Sequence, residues 1–148
     1  MPSTHISLLY HLIFATKNRE PLIAEEWRSR LHEYLGGMVR GLGGISQGVG
    51  GVADHVHLLV GLKATHRLAD FMRELKSDSS KWVRHSFPHI RFAWQEGYAA
   101  FSVSSSAAHS VREYIAKQAE HHRHRTFREE LVEFLRKCGV KYDERYLD

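Results

Sequence analysis

The pattern of hydrophobic and polar residues along the chain predicts four strands and four helices. Runs of β-branched, aliphatic and aromatic residues predict the strands, and apolar residues that recur every three to four positions predict the helices. In chain order, the predicted elements are a strand over 5–15, a helix over 25–42, strands over 45–52 and 55–62, a helix from 65 or 66 to 88, a strand over 92–103, a helix after 104–106 and a helix over 126–139. The first six follow the order β-α-β-β-α-β, which is typical of a ferredoxin-like antiparallel sheet. We therefore predict an α+β fold of the ferredoxin-like (RRM-like) kind, with helices on one face of the sheet and further helices at the C-terminal end.

Local signals mark the ends of two of the helices. Eight of the eleven glycines lie between Gly36 and Gly51, which ends the first helix and leaves a glycine-rich strand after it. Thr126 followed by Glu129 forms the sequence of a capping box, and Gly139 is a suitable residue after a helix C-terminus. The last helix is therefore predicted to begin after Thr126.

The composition is that of an ordinary folded domain. The 148 residues are 43% hydrophobic and 26% charged, and no linker or repeat divides them, so we predict a single domain over 1–148. The net charge of +4 is compatible with a polyanionic partner, although it is also a routine charge for solubility. The single cysteine, Cys138, excludes an internal disulfide, and neither a secretory pattern nor a membrane-spanning apolar run is evident. A cytoplasmic protein with no membrane partner is the resulting prediction.

His55 and His57 form an H-x-H motif in the predicted strand over 55–62. Alternate residues of a strand project from one face, so the two imidazoles can converge on a metal ion while Val56 and Leu58 face the core. Twelve histidines in 148 residues make about one such motif expected by chance, and 122–124 supplies a second H-x-H. Solvent-facing or hydrogen-bonded histidines on a sheet face remain an alternative.

Tyr114 and Gln118 are spaced four residues apart in the third predicted helix and are expected to share a face opposite to the buried Ile115 and Ala119. A tyrosine has a reference pKa near 10, so it needs a metal ion or a base to become a nucleophile at neutral pH. A packing role for the tyrosine ring is the alternative. By ligand chemistry alone, His121 or His122 would be better third zinc ligands than Gln118, unless they belong to a charged helix end.

The second predicted helix carries cations, a hydroxyl and an aromatic ring, the combination that holds a phosphate backbone and stacks on a base. A solvated helix face would explain the same residues. The candidate DNA contacts are Lys76, Ser80, Lys81, Trp82 and Arg84.

Four segments together resemble a known family. GVADHVHLLV, LKSDSSKW, FAWQEGYAAFSVS and VREYIAKQAEHHRHRTFREEL occur in the order found in the single-tyrosine HUH transposases, which include small insertion-sequence transposases and repeat-associated tyrosine transposases. The resemblance implies a ferredoxin-like domain that acts on single-stranded DNA, usually hairpin-containing, as a homodimer with a divalent metal, Mg²⁺ or Mn²⁺. It further implies that Tyr114 is the nucleophile and that His55, His57 and Gln118 are the metal ligands, with Gln118 taking the place of His121 or His122.

Two other functions fit the same residues. A ferredoxin-like module that only binds RNA or single-stranded DNA would use the sheet face and would tolerate loss of Tyr114. A small metal-dependent hydrolase would need His55 and His57 but would form no covalent intermediate with DNA.

Overall fold

The computed structural model describes residues 3–147 and places the predicted elements in one four-stranded sheet covered by helices. Met1, Pro2 and Asp148, which belong to the predicted domain over 1–148, lie outside the described residues. The elements are β1 (Leu9–Ala15), α1 (Glu25–Gly41), β2 (Ile45–Gly51), β3 (His55–Gly61), α2 (Leu68–Ser86), β4 (Ala99–Val103), α3 (Ala108–Ala116), α4 (Gln118–His121) and α5 (Phe127–Lys137). The strand order is β2-β3-β1-β4 and every neighbouring pair is antiparallel. The ferredoxin-like α+β prediction is confirmed.

The two faces of the sheet have different roles because side chains alternate along each strand. On one face, Val56, Leu58 and Val60 of β3 pack with buried residues of α1 and α2 in the main hydrophobic core. On the other face, Leu59 packs with Ala108 and Ile115 of α3. Next to it, Ile13 of β1 and Phe101 of β4 pack with Phe127 and Leu135 of α5. The C-terminal helices α3–α5 therefore cover the sheet face to which His55 and His57 belong.

The structure differs from the prediction most before β4. A strand was expected over 92–103, but only Ala99–Val103 pairs with β1, and Trp94 forms an isolated bridge with Thr16. Phe92 is buried in the main core against Trp27, so this segment packs as a core-filling loop instead of extending the sheet. The strand predicted over 5–15 is likewise shorter and begins at Leu9.

The third predicted helix is interrupted at Lys117. Its backbone angles, φ −104° and ψ 25°, are not helical, and its N–H is shared between the carbonyls of Glu113 and Tyr114. The interruption separates α3 from the single turn of α4. Ala119, which was expected on the buried side with Ile115, is exposed as a result.

α5 begins where its capping box predicted. The Thr126 hydroxyl accepts a hydrogen bond from the Glu129 backbone at 3.2 Å, and the Glu129 carboxylate accepts one from the Thr126 backbone at 3.2 Å. These two bonds satisfy backbone donors that the first helical turn leaves free.

The glycines of β2 allow α3 to approach the sheet closely. A Cβ atom built on Gly50 would lie 2.2 Å from the carbonyl oxygen of Ile115, whereas one on Gly48 would meet only the side chain of Arg112 at 3.3 Å. β2 is glycine-rich at this point because the backbone of α3 occupies the space of a side chain. Separately, none of the helices described between residues 3 and 147 is long and apolar enough to cross a membrane.

Candidate metal centre and tyrosine site

His55 is the first residue of β3 and is completely buried. Its Nδ1 donates to the Asp54 carboxylate at 2.7 Å, and its Nε2 lies 3.1 Å from the Gln118 side-chain oxygen and 3.3 Å from Oε1 of Glu130. Burial disfavours the charged ring, but hydrogen bonds and charges from Asp54 and Glu130 outweigh it and raise the pKa of His55 to about 9. The carboxylate partner fixes the orientation of the ring and aims Nε2 into the site.

His57 is also completely buried, and it is held from behind by a third histidine. Nδ1 of His57 is 2.7 Å from Nε2 of His11 on β1, and Nε2 of His57 is 3.0 Å from Oε1 of Glu130. Burial lowers the pKa of His57 to about 4 and, together with the neighbouring His57, that of His11 to about 3. Both rings are therefore neutral. Nε2 of His11 can then donate a hydrogen bond to Nδ1 of His57, and Nε2 of His57 can donate one to the Glu130 carboxylate.

Glu130 lies at the centre of the site, although nothing in the sequence singled it out. It belongs to α5, its side chain is completely buried, and Oε1 lies 3.0–3.3 Å from the Nε2 atoms of His55, His57 and His122. Burial opposes the charged carboxylate, but the hydrogen bonds from these imidazoles outweigh it and hold the pKa of Glu130 far below its usual range. At rest the site thus contains a negatively charged carboxylate enclosed by imidazoles.

The hydroxyl of Tyr114 reaches the same carboxylate. It donates a short hydrogen bond to Oε2 of Glu130 and accepts one from the Arg125 guanidinium at 3.0 Å. Burial, followed by the hydrogen bond and charge of Glu130, raises the pKa of Tyr114 well above its usual value. The phenol is therefore protonated at rest, with an acceptor for its proton and a cation for its developing charge already in place.

The helix interruption at Lys117 does not remove Gln118 from the site. Gln118 is buried, presents its oxygen to His55, and donates from its nitrogen to Oε2 of Glu130 at 3.2 Å. All four residues singled out by the family resemblance, His55, His57, Tyr114 and Gln118, therefore meet in one place. Their catalytic and ligand roles remain a prediction.

His121 and His122, which ligand chemistry had favoured, lie on different sides of this site. His122 reaches it, with Nε2 at 3.1 Å from Oε1 of Glu130 and Nδ1 at 2.7 Å from the backbone oxygen of Arg125. The ring of His121 stacks on Tyr114 at 4.4 Å between centroids, and its Nε2 has no hydrogen-bond partner among the described residues. Only His122 of this pair offers a nitrogen to the carboxylate.

The donor atoms suit a divalent metal ion. One nitrogen each from His55 and His122 and one carboxylate oxygen from Glu130 lie within 4.8 Å of one another, and the Gln118 oxygen and His57 Nε2 border this group. Imidazole nitrogens with carboxylate and amide oxygens bind first-row divalent metals in proteins. A metal centre therefore fits the residues present.

The model of the family "Transposase IS200 like" matches residues 4–118. The chain belongs to this family. One curated relative is the ISDra2 transposase TnpA of Deinococcus radiodurans, which is 28% identical over 75% of this chain and 84% of the relative. Another is the IS200 transposase of Salmonella typhimurium LT2, which is 26% identical over 75% of this chain and 76% of the relative. The resemblance inferred from the sequence motifs is confirmed, and this IS200-like protein is an enzyme of the transposase class.

Two solved structures share the fold of this IS200-like transposase. A crystal structure of a Deinococcus radiodurans R1 protein assigned as a transposase is 28% identical, with a TM-score of 0.66 over 78% of this chain and 93% of the other. A REP-associated tyrosine transposase bound to a REP hairpin is 14% identical, with a TM-score of 0.56 over 78% of this chain and 68% of the other. At 14% identity the second likeness shows the fold alone.

The candidate DNA contacts on α2 lie away from this centre. α2 packs on the opposite face of the sheet, so the structure does not bring these side chains to the imidazoles. Lys76 donates to the backbone oxygens of Gln95 and Gly97 at 2.7 and 2.6 Å, and Trp82 stacks on Tyr34 at 4.7 Å between centroids. Ser80 donates a hydrogen bond to the backbone oxygen of Ser77, and Arg84 donates one to that of Phe92. Lys81 is exposed. Their contact with DNA stays a prediction.

The family match ends at Gln118, so a large part of the site lies beyond it. His122, Arg125 and Glu130 all follow this residue, in the turn after α4 and in α5. The segment matched by the family thus contains the paired histidines, the tyrosine and the amide. The C-terminal helix of this chain supplies the carboxylate that joins them.

Proposed function

We propose that this IS200-like transposase cuts and rejoins single-stranded DNA through a covalent bond between Tyr114 and a 5′-phosphate. One observation carries the proposal: the Tyr114 hydroxyl bonds to one oxygen of Glu130, while buried imidazoles surround the other. A nucleophile and a set of metal donors therefore meet at a single carboxylate. A protein that only bound nucleic acid would have no use for this arrangement.

His55, His57 and Gln118 would hold the divalent ion, Mg²⁺ or Mn²⁺. Bound there, such an ion polarises a non-bridging oxygen of the scissile phosphate and offsets the negative charge that develops during displacement. The chain's own contribution is orientation, because the Asp54 and His11 contacts fix the two imidazole rings. The sheet and the C-terminal helices exclude water from both rings.

The reaction requires one bond to form and one to break. The Tyr114 oxygen attacks phosphorus, the bond from phosphorus to the 3′-oxygen breaks, and the 3′-oxygen takes up a proton as it leaves. The phenol proton leaves through the Glu130 oxygen that already accepts its hydrogen bond and passes on to water, so the carboxylate stays charged, and Arg125 stabilises the negative charge on the attacking oxygen. Because the phosphodiester is replaced by a phosphotyrosine, a new 3′-hydroxyl can reverse the step and join different ends without ATP.

The substrate we propose is single-stranded DNA that contains a hairpin. The REP-associated transposase with the same fold is described as bound to a REP hairpin, and the net charge of +4 favours a polyanion. We further propose that the protein is cytoplasmic and acts as a homodimer. The dimer is expected because one tyrosine cuts one strand and an element has two ends. Within one chain, Tyr114 already contacts the carboxylate that faces its own histidines, which supports action in cis.

A covalent-adduct gel tests the proposal. The purified chain is incubated with Mn²⁺ and labelled random-sequence single strands, half of them with a fixed hairpin, and the products are separated under denaturing conditions. The wild type should retain label attached to the 5′-phosphate side of the cut. Tyr114→Phe should fold and bind the same strands but give no adduct, whereas Tyr98→Phe, which alters an exposed tyrosine, should react like the wild type.

Three outcomes would count against the proposal. An adduct that persists in Tyr114→Phe would exclude this residue as the nucleophile. Strand binding without cleavage under every metal condition would favour the binding module. Cleavage without an adduct would favour a hydrolase that uses the same imidazoles.

A further inference from the structure

Two imidazoles of the site, His55 and His122, are arranged in the same way although they come from different elements. In each ring Nδ1 faces an oxygen that can only accept a hydrogen bond, the Asp54 carboxylate for His55 and the Arg125 carbonyl for His122. Nδ1 therefore carries the proton in both rings. A proton on the outer nitrogen, directed to a carboxylate or a backbone carbonyl, is the usual second contact of a histidine that binds a metal through its other nitrogen.

The remaining nitrogen of each ring also faces oxygen. Nε2 of His55 lies 3.1 Å from the Gln118 oxygen and 3.3 Å from Oε1 of Glu130, and Nε2 of His122 lies 3.1 Å from the same Glu130 oxygen. A neutral ring with its proton on Nδ1 has only a lone pair at Nε2, and a lone pair facing a carboxylate oxygen is repulsive. Each contact therefore needs a cation, either a second proton on the ring or a shared metal ion.

A single shared divalent ion accounts for all of these contacts and can take the place of the second proton on each ring. The rings of His55 and His122 lie 4.5 Å apart between centroids, and their Nε2 atoms face the same oxygen of Glu130. One divalent ion satisfies both nitrogens, the carboxylate and the amide oxygen at once. The three donor atoms of His55, His122 and Glu130 already lie within 4.8 Å of one another.

We propose that His122 and Glu130 are themselves metal ligands, so that the ion of this transposase is held partly by residues beyond the segment matched by its family. The proposal rests on the function given above and extends its metal site. With Glu130 and several imidazoles as donors, the centre should favour Mn²⁺ and similar transition metals over Mg²⁺, which prefers oxygen ligands. Oε2 of Glu130 stays available to Tyr114.

Equilibrium binding of Mn²⁺ to the DNA-free chain tests this proposal without any activity measurement. Bound Mn²⁺ loses the sharp six-line electron paramagnetic resonance signal of the free ion, so titration gives the Kd and the number of sites. The wild type should bind one Mn²⁺ per chain, and Mg²⁺ should compete at least about tenfold more weakly. Glu130→Gln and His122→Ala should each raise the Kd for Mn²⁺ by about 10–100-fold.

Each variant has a matched control. Glu133→Gln removes a carboxylate one turn further along α5 that bonds to Arg125 and Lys137, and His121→Ala removes the neighbouring imidazole. Both controls should bind Mn²⁺ within about twofold of the wild type. Far-ultraviolet circular dichroism melts in the presence of chelator establish that each variant is folded.

The proposal is overturned if both Glu130→Gln and His122→Ala keep wild-type affinity. It is equally overturned if Glu130→Gln binds Mn²⁺ more tightly, because the carboxylate would then be a competitor for the imidazoles instead of a ligand. Should Glu130→Gln fail to fold, the Kd for Mn²⁺ of His122→Ala against that of its control His121→Ala decides the matter. A wild-type adduct with unchanged metal binding in the variants would refute this inference and leave the proposed function intact.

Discussion

Replacing Gly50 by alanine should slow adduct formation by this transposase strongly while the chain still folds. Gly50 lies on β2 directly beneath α3, the helix that carries Tyr114. Its φ is not in the left-handed region, so an alanine there introduces no backbone strain, and its effect comes from the added methyl group alone. That group would occupy the space of the Ile115 carbonyl, one residue after the nucleophile.

The size of the displacement follows from the structure. The Cβ introduced by Gly50→Ala would lie 2.2 Å from the Ile115 oxygen, and real Cβ atoms essentially never come within 3.0 Å of such an atom, so α3 and β2 must separate by about 0.8 Å or more. Overpacking of this kind costs about 1–3 kcal/mol of folding free energy. A displacement near 1 Å at a reacting group lowers catalysis by about 100-fold.

The assay compares adduct rates and unfolding in Gly50→Ala and Gly48→Ala. The control adds the same methyl group to the same strand, where it meets a side-chain carbon of Arg112 at 3.3 Å that can move aside. Gly48→Ala should therefore keep nearly wild-type rates. We expect Gly50→Ala to unfold cooperatively in urea with a free energy lower by about 1–3 kcal/mol and to form adduct about 100-fold more slowly. A wild-type rate in Gly50→Ala would refute the claim that close packing of α3 on β2 positions Tyr114.

Three further predictions concern metal, pH and helix capping. Adduct formation should stop with chelator and return with Mn²⁺ or Mg²⁺ in the wild type, but His57→Ala should stay inactive with either ion; cleavage by this variant would remove His57 from the mechanism. Burial and the nearby Arg28 lower the pKa of His32 to about 4, so the folded state favours the neutral ring. The neutral His32 therefore contributes fully to the free energy of unfolding above pH 6.5, and this contribution is lost as the pH falls toward 4. In urea unfolding across this pH range, the free energy of unfolding should fall less in His32→Gln than in the wild type, by up to about 3 kcal/mol at pH 4. Parallel pH dependences of the two proteins would contradict the lowered pKa of His32. Thr126→Ala removes the acceptor of the capping box and should lower the unfolding free energy by about 1 kcal/mol, whereas Thr126→Ser should not.

The sequence predicted the parts of the site that depend on local order. The alternation of β3 places His55 and His57 on the face opposite to Val56 and Leu58, and this follows from strand geometry alone. The capping box likewise requires only residues three positions apart. The four residues of the family motif are found together because the motif records a three-dimensional arrangement that local patterns do not contain.

Glu130 was missed because nothing near it in the sequence distinguishes it. It follows Glu129 in the first turn of an amphipathic helix, where acidic residues ordinarily complement the helix dipole and face water. Only the return of α5 across the sheet buries one of these two carboxylates and leaves the other exposed. The interruption at Lys117 was equally invisible, since neither glycine nor proline marks it.

The division of β3 into two faces has a consequence for how this protein can change over generations. The side chains at the even-numbered positions of the strand fill the core under α1 and α2 and so support folding. His55 and His57 lie on the opposite face, in the candidate metal centre. If the proposed function is correct, substitutions at these two odd positions would abolish strand cutting and leave the core under α1 and α2 filled. An inactivated copy would persist as a stable scaffold, and a laboratory library confined to the imidazole face could select a different metal chemistry on the same backbone.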